Sequence, residues 1–404
     1  MGRLFYALII CLILLPPTIF VDVQTTLAHR NDFTTSTSPV TRALGPQRLI
    51  VIPVEFPDMK HYTSIESIQE IVFKGLNDFY VEASYGLMSI SGSITNKWYQ
   101  TQTPLSKLNV EQWNYNVKDM DLFEQEAVKA AGEDVNLHDY DFVILVAAGQ
   151  IWPHARCSLQ SALNNDSKPL RGIVVNEFSS MATYAHELGH VLPTSYKPRN
   201  GCGLPDLYSY QASERGQESD VFVGPWDIMS SSNSPKDFSA WSKIMLGWLA
   251  PEVVQLDAAS ILPVTLQPLE MNTGLRAILV ALSDTKYYVI EMRQQVGYDR
   301  FLPNEGVLVY VVDTSVKDGY GPIRVVDSHL STRTLDDAPF NVGSTFQDAR
   351  DNVYLAIVNA DGAGLLTLLA GSKMYPEQGT SQSALSIGFV ASDFKTPIVT
   401  AHES

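Results

Sequence analysis

The chain has 404 residues, with 44 Asp and Glu against 28 Lys and Arg, and a formal net charge of −16. An acidic balance of this size argues against a nucleic-acid partner, which needs a basic surface. With 45% hydrophobic and 10% aromatic residues the chain can bury a large core, which excludes global disorder, and its length predicts two or three domains.

Residues 1–28 read as a secretory signal peptide. Arg3 precedes an apolar run from Leu4 to Leu15, Pro16 and Pro17 interrupt it, and Thr26-Leu27-Ala28 offers a small-residue cleavage site. The alternative, an uncleaved anchor, is disfavoured because the run is short of the ~20 residues a span needs. No later segment is apolar for long enough to cross a bilayer, so the expectation is a secreted protein with no stable membrane span once the signal is removed. Residues 29–46, rich in Thr and Ser, read as a linker too short to be a folded inhibitory prodomain.

Order is expected from Arg48 to Phe56, a strand rich in β-branched residues. A helix follows near Ser64 to Glu82, with Ile65, Ile68, Ile71, Val72, Leu76 and Phe79 at helical spacing. Tyr85 to Gly92 alternates as a strand, Asp119 to Ala131 returns to helix, and Asp141 to Ala147 is an apolar, buried strand. This alternation predicts an α/β (α+β) domain over 47–250. Beyond it, Ala277–Leu282, Tyr287–Arg293, Gly306–Asp313, Val353–Val358 and Leu365–Leu369 are short strands without intervening helices, which predicts an all-β, sandwich-type domain over 251–404.

Of the three cysteines, Cys11 lies in the signal segment. The remaining two, Cys157 and Cys202, are predicted to pair in an oxidising compartment, with two buried thiols as the alternative. Asn165-Asp166-Ser167 is a lone glycosylation sequon.

The stretch that carries chemistry is His186-Glu187-Leu188-Gly189-His190. Residues four apart share a helix face, so both imidazoles can reach one metal ion, while Glu187 sits beside the water on that metal as a general base. Met181, Tyr184, Ala185, Leu188, Val191 and Leu192 supply a buried setting, Ser179 or Ser180 can cap the helix, and Pro193 ends it. Zinc then needs a third protein ligand and one open position.

Downstream lie Gly203-Leu204-Pro205-Asp206-Leu207-Tyr208 and Trp226-Asp227-Ile228-Met229. With these, the chain resembles the immune inhibitor A family of secreted metalloproteases. The likeness extends over Arg48 to Asp58, Phe79 to Gly92, Ile151-Trp152-Pro153-His154, Ala240 to Trp248 and, in the β-rich part, Tyr288 to Asp313. The resemblance implies a zincin or metzincin-like catalytic domain that binds one catalytic Zn²⁺ through His186, His190 and Asp206, with Met229 in a turn beneath the metal. One departure stands out: Asp206 lies 16 residues after His190, whereas the compact family pattern has six. The extra residues fall within Leu192 to Cys202 and read as a surface loop tied back to Cys157. A rival third ligand, on the thermolysin-like pattern, is Glu214 or Glu218. Tyr208 is a candidate oxyanion contact and His154 a candidate substrate or transition-state contact, with packing the plainer role for both.

The function expected from these residues is secreted, zinc-dependent endopeptidase activity on protein or peptide substrates, with Glu187 as the general base. There is no Gly-x-Ser-x-Gly elbow, Walker loop or paired-cysteine zinc ribbon. No Asp-x-Asp-x-Asp-Gly loop occurs either, so a Ca²⁺ ion, compatible with a secreted acidic chain, is assigned to no residue. The alternative from another class is a non-catalytic adhesion or binding protein built on a zincin scaffold.

Overall fold

In the computed structural model, Leu49, Ile50, Val51, Ile52 and Val54 are all buried, because the strand they form lies in the interior of a sheet with both faces covered. The structure describes residues 42–112, 114–132, 134–158, 170–194, 202–207, 222–230, 234–254, 261–317, 319–332, 334–351, 353–360, 366–371 and 399–400. The expected signal peptide, most of the linker and the sequon lie outside them.

This strand, β1 (Gly45–Glu55), begins before the expected Arg48, so the end of the linker belongs to the fold. Ala43 is buried, and its amide donates to the Leu246 carbonyl at 3.1 Å. β1 pairs in parallel with β2 (Met88–Ile94), β3 (Tyr99–Gln100) and β4 (Phe142–Ala147). β5 (His154–Arg156) runs antiparallel along β6 (Arg171–Asn176), itself parallel to β4, and forms the edge in the order β2-β1-β4-β6-β5.

The two faces are covered by different elements. Leu49 and Val51 join one apolar cluster, Ile50, Ile52 and Val54 another, as the period-2 alternation of a strand requires. The first cluster contains the segment expected as a helix over 64–82. It is present as α1 (Ile65–Glu70), a π-helical turn (Ile71–Leu76) and α2 (Asn77–Ala83), capped where the Ser64 hydroxyl accepts the Ser67 amide at 3.2 Å. The second is closed by α3 (Val117–Ala131), which buries Met120, Phe123, Ala127, Val128 and Ala131 at helical spacing. α4 (Met181–Gly189) follows β6, and α5 (Ala240–Leu246) precedes the β-rich part.

Beyond residue 250 the expected strands are present. β7 (Glu252–Val254), β9 (Ala277–Ala281), β10 (Lys286–Arg293), β11 (Gly306–Asp313) and β12 (Ile323–Val325) make one five-stranded sheet, in the order β12-β11-β10-β9-β7. β8 (Ile261–Leu266), β13 (Thr345–Asp348), β14 (Val353–Ala360), β15 (Leu366–Gly371) and β16 (Val399–Thr400) make a second, ordered β16-β13-β14-β15-β8. Ile278, Tyr288, Ile290 and Val309 of the first share an apolar cluster with Phe346, Leu355 and Ile357 of the second. The opposite face of the first sheet, through Leu279, Val289, Leu308 and Tyr310, belongs to the same core as the α4 side of the α/β sheet. Residues on both sides of position 250 thus share one continuous core. No helix among the described residues is long and apolar enough to cross a membrane.

Candidate metal centre

α4 forms because its sequence carries a cap, a buried face and no interior proline or β-branched run. The Ser180 hydroxyl accepts the Thr183 amide at 3.3 Å, and Ala182, Tyr184, Ala185 and Leu188 are buried. Tyr80 on α2 reaches across to donate its hydroxyl to the Ala185 carbonyl at 2.8 Å, which fixes the helix one residue before His186. Helical geometry then places His186 and His190 on one face, their rings edge-on with centroids 4.8 Å apart.

Each ring is oriented by a backbone carbonyl. Nδ1 of His186 donates to Ile228 O at 2.8 Å, and Nδ1 of His190 donates to Leu204 O at 2.7 Å. A carbonyl can only accept, so both Nδ1 atoms carry protons and both Nε2 atoms face inward, 3.2 Å apart. Asp206 completes the triangle, its Oδ1 lying 3.3 Å from His186 Nε2 and 3.2 Å from His190 Nε2. Two lone pairs and a carboxylate oxygen at such spacing repel unless a cation lies among them. The edges match the ~3.3 Å ligand separation that tetrahedral bonds of about 2.0–2.1 Å require. Among the described residues this is the cluster with metal-ligand spacing.

Without a metal, a proton answers the same demand. Burial pushes the His190 imidazolium down, but the Asp206 carboxylate against it more than reverses this and holds it up at about 9. Burial works against the Asp206 carboxylate too, and the adjoining imidazoles still keep it well below the usual carboxylate range. Glu187 is buried beside the triad, and that burial pushes its carboxyl up although His186 and His190 pull the other way.

Asp206 reaches the site because residues 202–204 dock on the end of α4. The Leu204 amide donates to Gly189 O at 2.9 Å, and a Cβ on Gly203 would fall on the His190 carbonyl group. Cys202 is disulfide-bonded to Cys157, just after β5, with Cα atoms 5.5 Å apart, so the predicted pairing is present and ties this segment to the sheet edge. Met229 packs beneath, close enough that a Cβ on Gly189 would come within 2.6 Å of its sulfur.

The structure brings together His186, Glu187, His190, Asp206 and Met229. Tyr208, Glu214 and Glu218 lie outside the described residues. His154, on β5, is buried, its nitrogens face Glu124 Oε1 at 2.6 Å and Trp152 O at 3.2 Å, and it lies near enough to Glu187 to act on its charge. Arg156 extends that network to Glu124 and Asp121, both at 2.9 Å. Sequence reasoning gave Asp227 no role of its own, yet it accepts the amides of Met229 and Ser239, both at 2.8 Å, and the Ser242 hydroxyl at 2.7 Å. Its place in the Trp226-Asp227-Ile228-Met229 segment, two residues before Met229 as in an Asx turn, was the local signal.

Neither a scan against protein-family models nor a search of the curated proteins finds a match for this chain.

Proposed function

We propose that this chain is a secreted zinc-dependent endopeptidase. The reading rests above all on the convergence of two Nε2 atoms and one carboxylate oxygen at tetrahedral edge lengths, with each imidazole locked by its own carbonyl. His186, His190 and Asp206 would hold the ion, a set of two neutral ligands and one anion that leaves Zn²⁺ a net positive charge. When bound, Zn²⁺ supplies Lewis-acid chemistry, polarising a scissile carbonyl and making water acidic near neutral pH.

The remaining roles fall to the chain's own groups. Glu187 takes the proton of the attacking water and returns it to the leaving amine, and burial favours this by raising its basicity. Ile228 and Leu204 keep Nδ1 of each imidazole protonated, so Nε2 stays available as a ligand. Asp206 offsets the charge on the site, and Met229 closes its floor. The resemblance to immune inhibitor A metalloproteases agrees with this, and on the same reading the α/β part is a metzincin-like catalytic domain and the two five-stranded sheets form a sandwich. Export through the N-terminal segment is supported by the Cys157–Cys202 disulfide.

Casein cleavage by the purified protein, with and without a zinc chelator, tests the reading together with a zinc count and Glu187→Gln. One zinc per chain, chelator-sensitive cleavage and a loss of at least ~10²-fold in turnover with retained zinc are expected. Undiminished proteolysis by Glu187→Gln would reject the role of Glu187. Bound zinc without cleavage would favour the binding-protein alternative.

A further inference from the structure

Arg293 lies on β10, far along the chain from the metal ligands, and is fully buried. Its guanidinium meets three carboxyl groups: Asp299 Oδ2 at 2.9 Å from Nε and 2.6 Å from Nη2, Glu291 Oε1 at 2.9 Å, and Glu270 Oε1 at 3.3 Å. If charge compensation were its whole role, these would suffice. Nη1 nevertheless also donates to the backbone carbonyl of Trp226 at 2.8 Å. Trp226 opens the turn that contains Ile228, the residue whose carbonyl orients His186.

The carboxylates that hold Arg293 also grip the segment that leads into α5. Glu291 Oε2 accepts the Ala240 amide at 2.5 Å, at the start of α5, and Asp299 Oδ1 accepts the Asp237 amide at 2.8 Å. Asp227 links the turn to that segment, accepting from the Met229 amide on one oxygen and from Ser239 and Ser242 on the other. The turn from Trp226 to Met229 is therefore held at its first carbonyl by Arg293 and at its centre by Asp227. Between these points Ile228 presents its carbonyl to His186 Nδ1. A planar guanidinium with several fixed donors suits this better than a flexible ammonium would.

We propose that Arg293 is a positioning residue for the metal centre: clamped by Asp299 and Glu291, it fixes the Trp226 carbonyl and, through the turn, the Ile228 carbonyl that orients His186. The β-rich part of the chain is then a working component of the site. The inference rests on the reading of His186, His190 and Asp206 as metal ligands.

The test is zinc affinity of the full chain, measured by chelator competition, with the visible absorption of the cobalt-substituted protein as a report on the ligand field. Arg293→Lys is expected to weaken zinc binding by about 10-fold or more, as loss of outer-shell support does, and to alter the cobalt bands. Tyr288→Phe, which removes a buried 2.6 Å hydrogen bond to Asp348 within the β-rich part, serves as the control and should leave both readouts unchanged. Zinc affinity within twofold of wild type and an unchanged cobalt spectrum in Arg293→Lys would overturn the proposal.

If that variant does not fold, hydrogen exchange of the wild type decides. Zinc should slow exchange at the amides of Asp237, Ser239 and Ala240, which are tied to the same network, and no slowing would overturn the proposal. A wild type that takes up no zinc would instead reject the ligand assignment itself.

Discussion

The carbonyl of Leu204 accepts a 2.7 Å hydrogen bond from Nδ1 of His190, so the segment that delivers one candidate ligand also orients another. The two cannot move independently. Gly203 makes the contact possible, because at this position a side chain would meet the backbone of His190 rather than another side chain.

Gly203→Ala is therefore expected to displace Asp206 and His190 together. Backbone cannot yield as a side chain can, so the cost should reach about 2–3 kcal/mol of stability, with zinc affinity falling at least ~10-fold. Gly189→Ala, whose Cβ would meet the flexible end of Met229, should be milder. Thermal melts and zinc competition on both variants check the order.

Asp206→Ala removes the anionic member of the triangle. The expected outcome is a chain that folds but retains less than one zinc, with cleavage lost in parallel. Full zinc occupancy in this variant, measured by elemental analysis after dialysis, would reject Asp206 as a ligand.

Replacing both Cys157 and Cys202 by Ser opens a loop with a sequence separation of 45 residues. The chain-entropy model puts the loss at about 4 kcal/mol, with a usual range of about 2–4. Because Cys202 adjoins Gly203, the variant should also lose zinc more readily than the wild type. Denaturant melts and metal release under a fixed chelator concentration measure the two effects.

Stability should depend on pH through Glu270. Burial, followed by the facing Asp299 carboxylate, pushes its carboxyl up to about 9 despite Arg293. The native state thus holds a proton that the unfolded chain releases above an ordinary Glu pKa of about 4.3. Stability contributed by this group falls as pH rises from about 4.3 to 9, with a slope approaching 1.4 kcal/mol per pH unit. Glu270→Gln, which keeps a donor toward Asp299 without an ionisable proton, should flatten that dependence and gain on the wild type at pH 8. Parallel urea melts at pH 5.5 and pH 8 would expose the difference, and identical slopes would contradict it.

Much of this protein could be read locally. The four-residue spacing of His186 and His190 sets both rings on one helix face whatever surrounds them, and Ser180 and the apolar neighbours mark the helix itself. Short runs of β-branched and apolar residues likewise foretold β1, β4 and the strands after residue 250, since such runs are properties of neighbouring residues. The tertiary structure decided how those rings are held. His186 depends on a carbonyl 42 residues away, His190 on one 14 away, and the turn that serves His186 on an arginine 67 residues beyond Trp226. Backbone carbonyls carry no residue identity, and a buried arginine looks like any other in the chain, so these partners leave no local pattern. The π-helical turn between α1 and α2, which packs against α4, was equally hidden, because the apolar spacing of Ile71 to Leu76 reads as ordinary helix.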